Sequence, residues 1–134
     1  MTKLETIEGI GDIYAGQLRD AGIGSLEALL EAGATPAGRR ELHETTGIGD
    51  EYILDWVNRA DLMRIDGVGE EYSDLLERGG VDTVVELAQR NPENLYQKLI
   101  EVNDEEALVR RPPSQAMVAD WVQQAKALPR VVSY

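Results

Sequence analysis

Cysteine is missing from the 134-residue chain, which excludes disulfides and thiolate metal sites and suits a reducing compartment. Histidine occurs once, as His43, so no second imidazole is there to share a metal ion. Apolar runs stay well short of the roughly 18 residues of a membrane-spanning helix, and Met1-Thr2-Lys3-Leu4-Glu5 leads into no hydrophobic signal core. A cytoplasmic protein without membrane association is expected. Basic residues are scarce too: 13 Lys and Arg face 25 Asp and Glu, for a net charge of -12. Such a field repels a phosphate backbone at long range and disfavours non-specific nucleic-acid binding. Part of the acidity equally suits plain solubility or tolerance of salt. Sustained strand alternation is absent as well, and the sequence predicts an all-α fold.

What the chain does have is an internal repeat. Ile7-Glu8-Gly9-Ile10-Gly11-Asp12-Ile13-Tyr14 returns 58 residues later as Ile65-Asp66-Gly67-Val68-Gly69-Glu70-Glu71-Tyr72. The match continues through Leu18 with Leu76, Gly22 with Gly80, Ile23 with Val81 and Ser25 with Thr83. Asp55-Trp56-Val57 returns as Asp120-Trp121-Val122 at an offset of 65, so the second half carries a seven-residue insertion. One unit therefore spans residues 1–62 and a second spans 63–134 with the insertion and a short extended tail; the two are expected to share one compact body. Ser25 and Thr83 are placed to cap the helices that follow them. Thr35-Pro36 and Asn91-Pro92 use the same device, a capping side chain before a proline whose missing N–H costs nothing at the first helical position.

Three turns share one pattern: Gly9-Ile10-Gly11, Gly47-Ile48-Gly49 and Gly67-Val68-Gly69, each followed by an acid and then by Tyr14, Tyr52 or Tyr72. An apolar residue between two glycines allows positive φ while its side chain plugs the groove between the flanking helices. A fourth turn is expected near Pro112-Pro113-Ser114, where Met117 takes the place of Tyr52 and the glycines are gone. These hairpins resemble the helix-hairpin-helix superfamily, in which paired motifs straddle a nucleic-acid minor groove. Gly33-Ala34-Thr35-Pro36-Ala37-Gly38-Arg39-Arg40, Asp55-Trp56-Val57-Asn58, Arg90-Asn91-Pro92-Glu93-Asn94-Leu95, Arg110-Arg111-Pro112-Pro113-Ser114 and the Val-Val-Ser-Tyr ending are similar to a bacterial family, domain of unknown function family 4332. The resemblance covers nearly the whole chain. It implies duplicated helix-hairpin-helix units, with DNA binding as the function carried over by analogy.

Phosphate capture by such a hairpin needs open amides at the start of its second helix. Asp12, Asp50-Glu51 and Glu70-Glu71 stand there, and these acids are expected to occupy the amides and repel a phosphate. At an effective dielectric of about 20, two unit charges some 6 Å apart repel by about 3 kcal/mol. The same acids read more plainly as stabilisers of the helix dipole. Arg39-Arg40 and Arg110-Arg111 argue the other way, since two basic pairs on one face would attract an anion; paired to nearby acids, they are ordinary surface.

Catalytic machinery is not apparent. Gly9-Ile10-Gly11 follows no strand and lacks the later glycine and lysine of nucleotide-binding loops. Lys3, Lys98 and Lys126 all lie away from the hairpins, unlike the lysine of helix-hairpin-helix DNA glycosylases. No cofactor or metal site is expected. The reading favours a non-catalytic module for a protein partner, a basic one, with Tyr14, Tyr52, Tyr72, Arg39, Arg40, Arg110 and Arg111 on its binding surface; nucleic-acid binding through the hairpins and arginine pairs is the alternative.

Overall fold

The computed structural model describes residues 1–134, and the chain is all-α, without a strand. A 3-10 turn at Leu4–Thr6 precedes α1 (Asp12–Asp20), α2 (Leu26–Ala32), α3 (Pro36–Thr46) and α4 (Asp50–Leu62). The second half supplies α5 (Glu70–Arg78), α6 (Val84–Ala88), α7 (Pro92–Glu106) and α8 (Gln115–Ala127). The chain separates into two compact units, Met1–Asp61 with Val131–Tyr134, and Leu62–Arg130. The tail, last in sequence, thus belongs with the first unit.

In the first unit, α2 and α3 start where the sequence offers acceptors. Ser25 Oγ accepts from the Ala28 amide at 3.1 Å, and Thr35 Oγ1 accepts from the Gly38 amide at 3.1 Å with Pro36 at the first helical position. Glycine stops α1: Gly22 takes a φ of 88°, and the Ile23 amide reaches back to the Leu18 carbonyl at 2.9 Å. Ile7, Ile10, Leu18, Leu29, Ile53 and Trp56 are buried together with the remaining apolar face of each helix. The N-terminal segment is pinned to α2 by the Thr2 amide, which donates to Glu27 Oε1 at 2.6 Å, and by the Leu26 amide, which donates to the Thr2 carbonyl at 3.0 Å.

In the second unit, Thr83 Oγ1 accepts from the Glu86 amide at 3.4 Å while Glu86 Oε2 accepts from the Asp82 amide at 2.9 Å. Asn91 and Ser114 cap α7 and α8 in the same way. The α5 stop repeats that of α1, with Gly80 at a φ of 91° and the Val81 amide on the Leu76 carbonyl at 2.9 Å. Leu75, Leu76, Leu87, Leu95, Leu99 and Trp121 centre its core. Relative to the first unit, α7 is four residues longer than α3 and the turn after it five longer, while α6 is two shorter than α2; these changes account for the seven-residue insertion. Asn103 closes the longer turn, exchanging hydrogen bonds with the Val109 amide at 2.9 Å and the Val109 carbonyl at 3.3 Å.

Candidate interaction surface

The glycines of the hairpins do different jobs from one another. Gly47 and Gly67 adopt positive φ, 75° and 95°, but Gly9 does not. Gly9 is needed for closeness instead, because a Cβ there would stand 3.1 Å from Trp56 Nε1. Its counterpart Gly67 faces Trp121 Nε1 at 3.3 Å, so both units press a glycine onto an equivalent indole. Gly11 and Gly69 cap α1 and α5 in extended backbone, at φ of -85° and -100°, and a Cβ on either would meet nothing within 4 Å. The middle residues Ile10, Ile48 and Val68 are buried, as plugs should be.

Asp12, Glu51 and Glu71 do not bond to the helix starts. The N-caps of α1 and α5 are Gly11 and Gly69, which offer no side-chain acceptor, and the carboxylates of these three acids make no hydrogen bond. The reason is positional: only an N-cap side chain reaches back to the first amides easily, and the N-cap here is glycine. These acids act through the helix dipole and through their exposure. At the second hairpin His43 is the latch, donating Nδ1–H to the Ile48 carbonyl at 2.6 Å, with Asp50 Oδ1 3.8 Å from the same nitrogen. Thr46 closes the turn from the other side, donating to the Leu42 carbonyl at 2.6 Å and accepting from the Ile48 amide at 3.1 Å.

The first two hairpins are brought together by aromatic rings. The Tyr14 ring lies 5.2 Å from Trp56 at 62° and 6.1 Å from Tyr52, and Tyr52 stacks on Trp56 at 6.2 Å and 26°. Trp56 is buried, Tyr14 half-buried and Tyr52 49% exposed. Beside Tyr14 in the first turn of α1, Ile13 is 79% exposed, the most open large hydrophobic side chain of the helices. Asp12, Asp50 and Glu51 are exposed around these residues. The second unit repeats the inner pair, with Tyr72 5.1 Å from Trp121, but not the outer surface. Glu71 stands at the Ile13 position and the half-buried Met117 at the Tyr52 position, while Tyr72 donates its hydroxyl to the Arg111 carbonyl at 2.8 Å.

A family model described as Domain of unknown function (DUF4332) matches residues 8–128. The chain belongs to the DUF4332 family. No curated protein and no solved structure matches it.

In this DUF4332 protein the sequence-predicted arginines part company. Arg39 is 9% exposed and engaged within the first unit. Arg40 is exposed, and both arginines line a hollow of about 210 Å³ with Pro36, Asp50 and Leu54, beside the start of α4. Arg110 and Arg111 are exposed on the turn before α8, and no acid stands in the first turn of that helix. Acids pair instead with other arginines: Arg19 with Glu5 at 2.7 Å, Arg59 with Asp55 at 3.3 Å and Arg78 with Glu106 at 3.1 Å. No group of three or more His, Asp or Glu is gathered to hold a metal ion. No helix is long and apolar enough to cross a membrane. Sequence reasoning passed over Ile13, whose only signal is an aliphatic residue where the repeat has Glu71. It also missed the use made of Arg39, which depends on residues 94 positions away.

Proposed function

We propose that this protein is a non-catalytic binding module that holds a basic protein partner on the hairpin face of its first unit. The observation that carries this reading is the pairing of open Ile13 and Tyr52 with the exposed carboxylates of Asp12, Asp50 and Glu51. Leaving an isoleucine side chain in water forgoes about 1.5 to 3 kcal/mol of burial, and a partner that covers it recovers this. A tyrosine braced on a buried indole offers rigid contact area at little entropic cost, the usual anchor of an interface. The surrounding acids steer basic partners toward the patch and repel acidic ones. The second unit, with Glu71 and Met117 at the equivalent positions, lacks this surface and serves as an internal contrast.

Nucleic-acid binding is the second reading. It is favoured by Arg110 and Arg111, exposed beside the start of α8 where no acid opposes a phosphate. One experiment separates the two. Wild-type protein and the Ile13→Asp/Tyr52→Ala double variant are used as baits in parallel, and the same two proteins are mixed with duplex, single-stranded and branched DNA at low salt. The protein-binding reading expects basic proteins retained by the wild type and lost from the double variant, with no DNA shift. An identical set of retained proteins on both baits would defeat it. A DNA shift that survives in the double variant but vanishes in Arg110→Ala/Arg111→Ala would install the second reading instead.

A further inference from the structure

The segment Val131–Tyr134 is held on the first unit by contacts that engage its backbone as well as its side chains. Buried Arg39 is fixed from within by donating Nη1 to the Gly33 carbonyl at 2.8 Å, and it donates Nη2 to the Ser133 carbonyl at 2.7 Å. The Ser133 amide donates to the Ala34 carbonyl at 2.8 Å. Val132 is 2% exposed, the Arg39 guanidinium sits 5.7 Å from the centre of the Tyr134 ring, and the Tyr134 hydroxyl donates to Asn58 Oδ1 at 2.9 Å. The groove thus selects an extended segment with an apolar residue, a free amide and an aromatic hydroxyl in order.

Nothing in this set of contacts requires the segment to come from the same chain. Only Leu128-Pro129-Arg130 joins it to the end of α8 at Ala127. Emptying the groove leaves the Arg39 guanidinium with only its Gly33 carbonyl and takes the Ser133 amide from the Ala34 carbonyl, which favours refilling by a chemically equivalent segment. A second copy carries that segment, and reciprocal exchange closes into a two-fold pair with no open contact left over. We propose that the groove is an exchangeable docking site that takes Val131–Tyr134 of a second copy of this chain, so that two chains pair by trading tails. The three-residue connection holds a chain's own tail at an effective concentration in about the millimolar range. The self-closed chain therefore prevails in dilute solution, and exchange appears when the own tail is released or the protein is concentrated.

Two full-length variants test this. Val132→Asp puts a charge at the buried position, releasing the tail and leaving the groove; Arg39→Met disables the groove and leaves the tail. Mixed one to one and differently tagged, they should form a mixed dimer in native mass spectrometry that neither forms alone. A labelled peptide of residues 129–134, Pro-Arg-Val-Val-Ser-Tyr, should bind Val132→Asp at least about tenfold more tightly than wild type, whose own tail competes. The same peptide with aspartate for its second valine should not bind. Should Arg39→Met fail to fold, wild type replaces it as tail donor. Should Val132→Asp fail, Ser133→Pro removes the amide that Ala34 receives and releases the tail instead. A folded, tail-released variant that ignores the peptide would overturn the proposal, as would one that binds the peptide but forms no mixed dimer.

Discussion

Glycine has two separate physical roles in these hairpins, and one substitution tells them apart. Gly67 combines a φ of 95° with a Cβ position 3.3 Å from Trp121 Nε1, so any side chain is both strained and crowded. Gly11 sits at a φ of -85° and a ψ of -174°, ordinary for a helix N-cap, with open space where a side chain would go. Serine at position 67 is expected to cost about 1 to 2 kcal/mol or more from the left-handed backbone alone. Serine at position 11 supplies the missing acceptor for the α1 amides and is expected to stabilise by a few tenths of a kcal/mol. Urea denaturation of Gly67→Ser and Gly11→Ser measures both. Equal losses for the two would show that the turn glycine and the N-cap glycine stand under the same constraint, against the geometry. Gly38 is a third case, where a Cβ would collide with the Ala32 carbonyl and the approach of α3 to the end of α2 forbids any side chain.

Among the elements, α2 shows how a short helix is fixed at its start by both a cap and a charge. Ser25 caps it, and Glu27 in its first turn accepts from the Thr2 amide through both carboxylate oxygens, at 2.6 and 3.1 Å. Burial works to raise the Glu27 pKa, but the hydrogen bonds from Thr2 outweigh it and hold the group below its ordinary value of 4.5. A carboxylate depressed in the folded state contributes stability in full above its unfolded value and loses it as pH falls through the lowered folded value. The wild type should therefore lose more stability than Glu27→Gln as pH drops from about 5 to about 3, and denaturant titrations at each pH read the difference. Parallel curves for the two would remove Glu27 from the account. This level of organisation was largely legible in the sequence. Ser25, Thr35-Pro36, Thr83 and Asn91-Pro92 bond to amides three residues on, so the signal and its consequence lie within one turn. The repeat of Trp56 as Trp121 was legible too, and equivalent tyrosine–indole packing accompanies it in the structure. What stayed hidden depends on distance or on direction. Arg39 reads as a surface base until its partner at Ser133 is known, and the acids at the helix starts read as caps although glycine occupies the capping position.

At the scale of the whole molecule, the net charge of -12 sets the sign of every long-range encounter. The salt dependence of DNA association therefore discriminates between the two functional readings more sharply than affinity does. A protein that neutralises phosphates releases counterions, and its affinity falls with salt at a logarithmic slope of about -0.9 per contact. Contacts from Arg110 and Arg111 alone would give a slope near -1.8, roughly a sevenfold loss for a threefold rise in salt. If neither arginine grips the backbone, the remaining interaction is repulsion between an acidic protein and a polyanion. Salt screens that repulsion, shortening its range from about 30 Å at 0.01 M to about 8 Å at 0.15 M. Any residual association should then hold constant or strengthen as salt is added. Fluorescence anisotropy of a labelled duplex across that range measures the slope, and a zero or positive value is the outcome expected. A steep negative slope, abolished by Arg110→Ala/Arg111→Ala, would mean that a local basic turn overrides the field of the rest of the chain. The acids around Ile13 and Tyr52 would then be ornament to a nucleic-acid binder rather than the guide for a basic protein.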